Sequence, residues 1–163
     1  MKTKKLTVLA LSISLALILS YVESLLPAFV AIPGIKMGLA NIVIVFVLYK
    51  LGWKEAVLVS LIRIVLVSLL FGSIMSLFYS FAGAVLSLVG MILLKKTDKF
   101  STIAVSVTGG VLHNIGQIVM AGILLETNVL LYYLPFLLFS GIVSGILIGI
   151  LAATMVKRIH LDV

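Results

Sequence analysis

Several ionisable side chains lie within, or at the edges of, long apolar runs of this sequence. Glu23 is near the end of the first run, Arg63 lies near the middle of a later one, and His113 lies within another. Ionisable side chains are costly in lipid, so those on different segments are expected to face one another across an internal site. Such a set could bind the charged part of a ligand. Alternatively, Glu23 and Arg63 could form a buried ion pair that only joins helices.

A polar interruption separates the first two apolar runs. Pro33-Gly34 is a turn dipeptide, because Pro fixes one backbone angle and Gly permits angles that other residues avoid. Lys36 follows at the mouth of the second run, and Asn41 lies just inside it. This placement favours capture of an anion by Lys36 over the alternative of an ordinary interfacial lysine.

Further polar residues share one helical face. Gly109, His113, Gly116 and Gln117 align at helical spacing, and Asn114 flanks them. The glycines would let a ligand or a neighbouring backbone come close to His113. A second interpretation stays open, in which the imidazole of His113 is bonded to Gln117 or to a backbone carbonyl and has no ligand. Tyr79, from the preceding apolar run, could join the group.

Composition defines the class of protein. The 163 residues are 63% hydrophobic and 10% charged, and the mean hydropathy is +1.39, as in an integral membrane protein made mostly of spanning helices. The absence of cysteine excludes disulfides, thiolate metal sites and cysteine nucleophiles. One intramembrane histidine with distant carboxylates does not make a metal site. We therefore predict no metal and no cofactor.

The pattern predicts an all-α, six-transmembrane-helix bundle that forms a single membrane domain over residues 1–163. The basic N-terminus and first apolar run resemble a signal peptide. However, there is no convincing small-x-small cleavage site before residue 26, so a retained first helix is expected. The predicted spans are, in order, 6–26, 37–51, 56–71, 74–94, 102–125 and 130–156.

The distribution of basic residues predicts the orientation. If the N-terminus is inside, six spans place ten of the twelve basic residues on the cytoplasmic side, and only Lys36 and Arg63 lie elsewhere. The positive-inside rule then puts both termini in the cytoplasm and the protein in the cytoplasmic membrane. The net charge of +7 is thereby explained by topology, and no nucleic-acid partner is needed.

Stripes of small residues predict where helices approach closely. Gly141, Gly145 and Gly149 repeat every four residues on the sixth span, and the fourth span carries a similar serine and glycine face. Both are expected to pack inside the bundle. The first span carries Ser12, Ala16 and Ser20. For this stripe, internal packing and docking onto a partner membrane protein stay open.

Four motifs resemble the Gx transporter family, which is also called heptaprenyl diphosphate synthase component I. They are the segments 23–27, 33–41 and 109–117, together with the Arg63 helix and its Tyr79-Ser80 neighbour. The family is similar to the S components of energy-coupling-factor transporters, small six-helix proteins that bind a nutrient near the outer surface. The resemblance implies a small-molecule ligand, a membrane coupling subunit and ATPases as partners. It also implies docking through an Ala-x-x-x-Ala-like stripe, whose nearest equivalents are Ala10 to Ser14 and Ser12 to Ala16.

The residues do not predict an enzyme. A prenyl diphosphate synthase needs clustered aspartates to hold Mg²⁺, and this chain has only Asp98 and Asp162. A nucleotide-binding Gly-rich loop with its lysine is also absent. We therefore predict a binding and transport protein for a small polar or anionic molecule. Its ligand-binding residues would be Glu23, Lys36, Asn41, Arg63, Tyr79, His113, Asn114 and Gln117. The alternatives are a non-catalytic membrane subunit of isoprenoid or quinone metabolism, or a membrane anchor for a partner complex.

Overall fold

The computed structural model describes residues 2–25, 38–126 and 129–161. This described part is all-helical, as the sequence predicts, and a short 3₁₀ helix, Val129–Tyr133, leads into the last α-helix. The α-helices are α1 Lys2–Leu25, α2 Asn41–Lys50, α3 Trp53–Phe71, α4 Ile74–Lys96, α5 Thr102–Leu125 and α6 Leu134–Arg158. The loop predicted around Pro33-Gly34 and Lys36 lies outside the described residues.

The short helix α2 forms the centre of the apolar core. All seven residues from Ile42 to Leu48 are buried, which is the pattern of a helix surrounded by other helices. Its ten residues cover only about 15 Å, roughly half of the hydrocarbon thickness. The predicted span 37–51 was longer because hydropathy does not detect the tight turns before α2. There the backbone N–H of Asn41 donates to the Gly38 carbonyl at 2.8 Å.

Four helical segments are long and apolar enough to cross a membrane: α1, α4, α5 and the 129–158 segment that contains α6. Many large apolar side chains on their outer faces are exposed, as expected for contact with lipid. The 19-residue α3 carries Lys54, Glu55 and Arg63, so it does not pass the same test. The chain is thus a multi-pass membrane protein, and crossing by all six helices stays a prediction.

Contacts at the two ends of the helices give their directions. At one end, Lys5 of α1 forms an ion pair with Glu55 of α3; at the other, the rings of Tyr21 and Phe71 lie 5.4 Å apart. Helices α1 and α3 therefore run in the same direction. The Lys95 ammonium donates to the Leu48 carbonyl at the end of α2. Hence the C-termini of α2 and α4 meet near the N-termini of α1 and α3, and we call this the basic end.

Glycines determine how closely α4, α5 and α6 pack. A Cβ atom added at Gly149 of α6 would lie 2.7 Å from Ile103 Cα of α5. One added at Gly116 of α5 would lie 2.7 Å from the Ala82 carbonyl oxygen of α4. Real Cβ contacts of that length do not occur, so these helix backbones are in direct contact. The glycines on the fourth and sixth predicted spans pack within the bundle, as expected.

The small-residue stripe of α1 divides between two faces. Ser12, Ala16 and Ser20 are buried, so this stripe takes part in packing inside the bundle. Ala10 and Ser14 are exposed, and the Ser14 hydroxyl donates to the Ala10 carbonyl at 3.0 Å. Only Ala10 and Ser14, of the four residues proposed for partner docking, therefore lie on an open surface.

The contact between α5 and α6 predicts the effect of Gly149→Ala. Alanine is the better helix former by about 1 kcal/mol, but overpacking against Ile103 should cost about 1–3 kcal/mol. We expect a net loss of stability, measured as a lower thermal unfolding midpoint in detergent. Ile150→Ala, at a half-exposed neighbour, is the control. If both variants unfold at the same temperature, the close contact does not exist.

The pair formed by Lys5 and Glu55 predicts a pH dependence at the basic end, outside the predicted span 56–71. The hydrogen bond from Lys5 holds the pKa of Glu55 below its ordinary value of 4.5. The pair therefore stabilises the fold above that value, and its contribution is lost as the pH falls through the lowered pKa. Glu55→Gln should cost about 0.2–1 kcal/mol at pH 7, and the deficit should vanish in acid. Glu126→Gln is the control, and a deficit that persists at low pH would contradict the assignment.

Candidate functional site

All six α-helices line one internal cavity of about 410 Å³, a volume typical of small-molecule sites. Its wall reaches from the turn between α3 and α4, at Gly72 and Ser73, to Met91 and Ile148 deeper in the bundle. That turn lies on the side of the bundle away from the basic end, because α3 ends and α4 begins there. The lining contains charged, amide and hydroxyl groups among apolar ones.

Arg63 is the cation of this cavity among the described residues. It lies on the face of α3 that also presents Ile64, Val67 and Phe71 to the space, at helical spacing. Its Nε atom is buried and has no hydrogen-bond partner in the described part of the chain. An unsatisfied guanidinium N–H in such a place is costly. A guanidinium, the group type that binds carboxylates and phosphates, therefore lies at the cavity wall with one of its donors unsatisfied among the described residues.

Glu23 approaches the cavity from α1. Its Oε1 atom accepts a hydrogen bond from the backbone N–H of Gly38, which connects the end of α1 to the start of α2. Its negative charge acts on Arg63, but the two side chains do not come within 4 Å of each other. Among the described residues, the ion pair within that distance is the one between Lys5 and Glu55. The two opposite charges thus line the same cavity without direct contact.

The conformation of Gly38 makes this arrangement possible. Its φ angle is +72°, a region that glycine adopts without steric cost. An added Cβ would lie 3.2 Å from Asn41 Nδ2 and 3.5 Å from Ile148 Cδ1. An added Cβ would therefore strain the backbone and press on Asn41 of the cavity wall, while its contact with Ile148 would be an ordinary one.

Helix α5 contributes His113, Asn114 and Gln117 to the wall. The Asn114 amide donates to the Leu137 carbonyl of α6 at 2.6 Å, so this side chain also holds α5 to α6. Gly83 of α4 lies directly against this face, where a Cβ would be 3.0 Å from both His113 Cε1 and Gln117 Cγ. The small residue on α4 therefore brings the polar face of α5 close to its neighbour.

Hydroxyl groups form the largest polar class in the wall. The nine serines that line the cavity are Ser20, Ser24, Ser68, Ser73, Ser76, Ser80, Ser87, Ser106 and Ser144. Each hydroxyl can donate one hydrogen bond and accept others. Sequence reasoning assigned several of these serines to helix packing and missed others. For Ser106 a signal existed, because it precedes His113 by seven residues and so shares its helical face.

The structure places the eight predicted binding residues in three groups. Six line the cavity together: Glu23, Asn41, Arg63, His113, Asn114 and Gln117. Tyr79 does not line it, and its neighbour Ser80 does, because one residue along a helix turns the side chain by about 100°. Lys36 lies outside the described residues. A role in ligand binding stays a prediction for all of them.

The donor set indicates which ligand chemistry the cavity suits. Among the residues that the structure describes, no group of three or more His, Cys, Asp or Glu side chains could hold a metal ion. The polar wall instead presents a guanidinium, amides and hydroxyls, which suit an oxyanion and neutral polar groups.

Comparison with known proteins assigns the chain to a family. The family model described as heptaprenyl diphosphate synthase component I matches residues 12–155. The chain belongs to this family. The match includes every residue of the cavity wall, from Ser20 to Ile148. No curated protein and no solved structure matches the chain. The family expected from the four motifs is thus confirmed, whereas the similarity to energy-coupling-factor S components stays a prediction.

Gly38→Ala tests the backbone conformation of Gly38 in the cavity wall. The positive φ angle should make alanine destabilising by about 1 kcal/mol or more, and the bond to Glu23 should be disturbed. We expect a lower thermal unfolding midpoint than in the wild type. Ser24→Ala, at an exposed serine of the same wall, is the control and should change the midpoint little. Equal midpoints for the two variants would show that Gly38 does not adopt this conformation.

Proposed function

We propose that this member of the component I family is a membrane substrate-binding protein of a transport system. It captures a small polar or anionic molecule in the cavity beside Arg63 and passes it inward with partner subunits. The observation that carries the proposal is Arg63 in the wall of a hydroxyl-lined cavity, with a buried Nε atom that has no hydrogen-bond partner among the described residues.

The energetics of Arg63 support a ligand. A charged group buried without direct partners is costly, and its cost falls when an anion completes its hydrogen bonds. The guanidinium is planar and can form two parallel hydrogen bonds with one carboxylate or phosphate. Hydroxyls of Ser68 and Ser80 and amides of Asn41 and Gln117 lie in the same wall, and they would orient the remainder of the ligand.

The topology that goes with this proposal has six membrane crossings and both termini in the cytoplasm. The basic end, with Lys5, Lys54 and Lys95, is then cytoplasmic according to the positive-inside rule. The cavity wall at Gly72 and Ser73 belongs to the opposite end, so the ligand enters from outside. The apolar outer faces of the helices contact the lipid bilayer of the cytoplasmic membrane.

Partner subunits belong to the same proposal. The sequence lacks a nucleotide-binding Gly-rich loop, so energy from ATP would come from separate ATPases through a membrane coupling subunit. The exposed stripe of Ala10 and Ser14 on α1 is the proposed docking surface, because small residues let a partner helix approach closely.

The family description supports a second candidate function. A chain in the family called heptaprenyl diphosphate synthase component I could be a non-catalytic membrane subunit of such a synthase, or anchor a partner complex. The two aspartates of the sequence, Asp98 and Asp162, are too few for an Asp-rich magnesium site. In this alternative a partner would perform catalysis, and a prenylated compound would be the expected ligand.

Mass spectrometry of molecules retained through purification in nanodiscs tests the proposal. The wild type should retain one polar compound, and Arg63→Gln should retain at least about tenfold less of it, since each factor of ten is about 1.4 kcal/mol of binding. Lys54→Gln is the matched control, because it removes a basic charge from α3 outside the cavity wall.

Three other results would count against the proposal. A prenylated compound in the wild type would favour the synthase subunit. Equal loss in Arg63→Gln and Lys54→Gln would show that binding depends on overall charge and not on the cavity. Lipid alone in all three samples would favour a membrane anchor. The thermal unfolding midpoint of each variant confirms that it is folded.

A further inference from the structure

The charges of the cavity wall define the ligand more narrowly than polarity does. Among the described residues, one permanent cation and one carboxylate line the space, Arg63 on α3 and Glu23 on α1, and His113 on α5 adds an imidazole. The two charges interact electrostatically. They are not joined in an ion pair within 4 Å, so a ligand in the cavity that both line can pair with each of them.

Within residues 2–25, 38–126 and 129–161, both groups retain unused hydrogen-bonding capacity. The Glu23 carboxylate accepts one bond from the Gly38 N–H through Oε1, whereas a carboxylate can accept about four. The Arg63 guanidinium has about five N–H donors, and its Nε is unpartnered among the described residues. Among the described residues, one residue of the wall thus keeps an unpartnered donor and another keeps spare acceptor capacity.

A ligand with a single charge would satisfy one of these groups and oppose the other. A simple anion bound at Arg63 would bring its charge near the Glu23 carboxylate, and a simple cation bound at Glu23 would approach the guanidinium. Like charges at such range are unfavourable when little water separates them. A molecule with an anionic group and a protonated nitrogen would complete both hydrogen-bonding sets.

We propose that the ligand of this cavity is a small zwitterion, with its anionic group at Arg63 and its protonated nitrogen at Glu23. This inference rests on the proposed binding function and specifies its substrate class. It also excludes inorganic diphosphate as a preferred ligand, because that ion carries several negative charges toward a wall that contains a carboxylate.

Equilibrium dialysis of the full chain in nanodiscs of uncharged lipid tests the charge preference. The probes are the proteinogenic amino acids with uncharged side chains, the amines formed by removing their carboxyl group, the acids formed by removing their amino group, and inorganic diphosphate. Each side chain is thus presented as a zwitterion, a cation and an anion. Mass spectrometry measures retention relative to empty nanodiscs.

For at least one side chain, the wild type should retain the amino acid at least about tenfold more than its amine or its acid. Glu23→Gln should reduce this preference over the acid, since the repulsion is removed while the glutamine oxygen can still accept from Gly38. Arg63→Gln should lose both the amino acid and the acid. The double variant lacks both charges, so its stability shows whether an unpaired buried charge unfolds either single variant.

Other outcomes overturn the inference and leave the broader proposal separately testable. Stronger retention of an acid or of diphosphate, unchanged in Glu23→Gln, would identify a plain anion site; small-molecule binding would stand and the zwitterion would not. If no probe is retained, the zwitterion inference fails. The binding function then fails only if wild-type protein also carries no polar compound through purification.

Discussion

A guanidinium group inside an apolar helix bundle has to be hydrated, paired or bound, and Arg63 imposes this condition on the helices around it. In the described part of the chain its Nε atom has no hydrogen-bond partner, and the Glu23 carboxylate acts on it only from a distance. A cavity lined by hydroxyls and amides surrounds it. The polar groups of the bundle are thus arranged around a charge that no described side chain neutralises by direct contact.

Close packing among α4, α5 and α6 fixes the helices that line much of this cavity. Gly110 of α5 lies against Gly141 of α6, where an added Cβ would be 2.6 Å from the Gly141 carbonyl oxygen. Gly83 of α4 lies equally close to α5, where an added Cβ would be 2.8 Å from the His113 carbonyl oxygen. These contacts fix α4, α5 and α6 as one unit. Helix α2 covers only about half the hydrocarbon thickness. Gly38 just before it, together with Asn41 and Val45 within it, lies in the cavity wall, and its residues from Ile42 to Leu48 are buried.

Sequence patterns predicted α3 to α6 well because each is a long apolar run ended by turn residues or charges. The start of α2 could not be predicted, since Gly38 to Ala40 are as apolar as a helix but form tight turns. Polar residues inside apolar runs were informative because their burial needs a reason. Serines were not, because a serine stripe suits both helix packing and a cavity wall. Likewise, whether Tyr79 or Ser80 lines the cavity depended on the rotation of α4 about its own axis, which sequence spacing alone does not define.

Family membership and cavity chemistry answer different questions about this protein. The family description names a component of a synthase that makes a long polyprenyl product. A polyprenyl chain is apolar along its length, and in this cavity of about 410 Å³ it would leave the Ser20 hydroxyl and the Nε of Arg63, both unpartnered among the described residues, without hydrogen bonds. A small zwitterion would instead form hydrogen bonds with polar groups of the wall, Glu23 included. Under our proposal the family name therefore refers to a complex in which proteins of this family take part. The compound held by the cavity is then a zwitterion and not a polyprenyl compound.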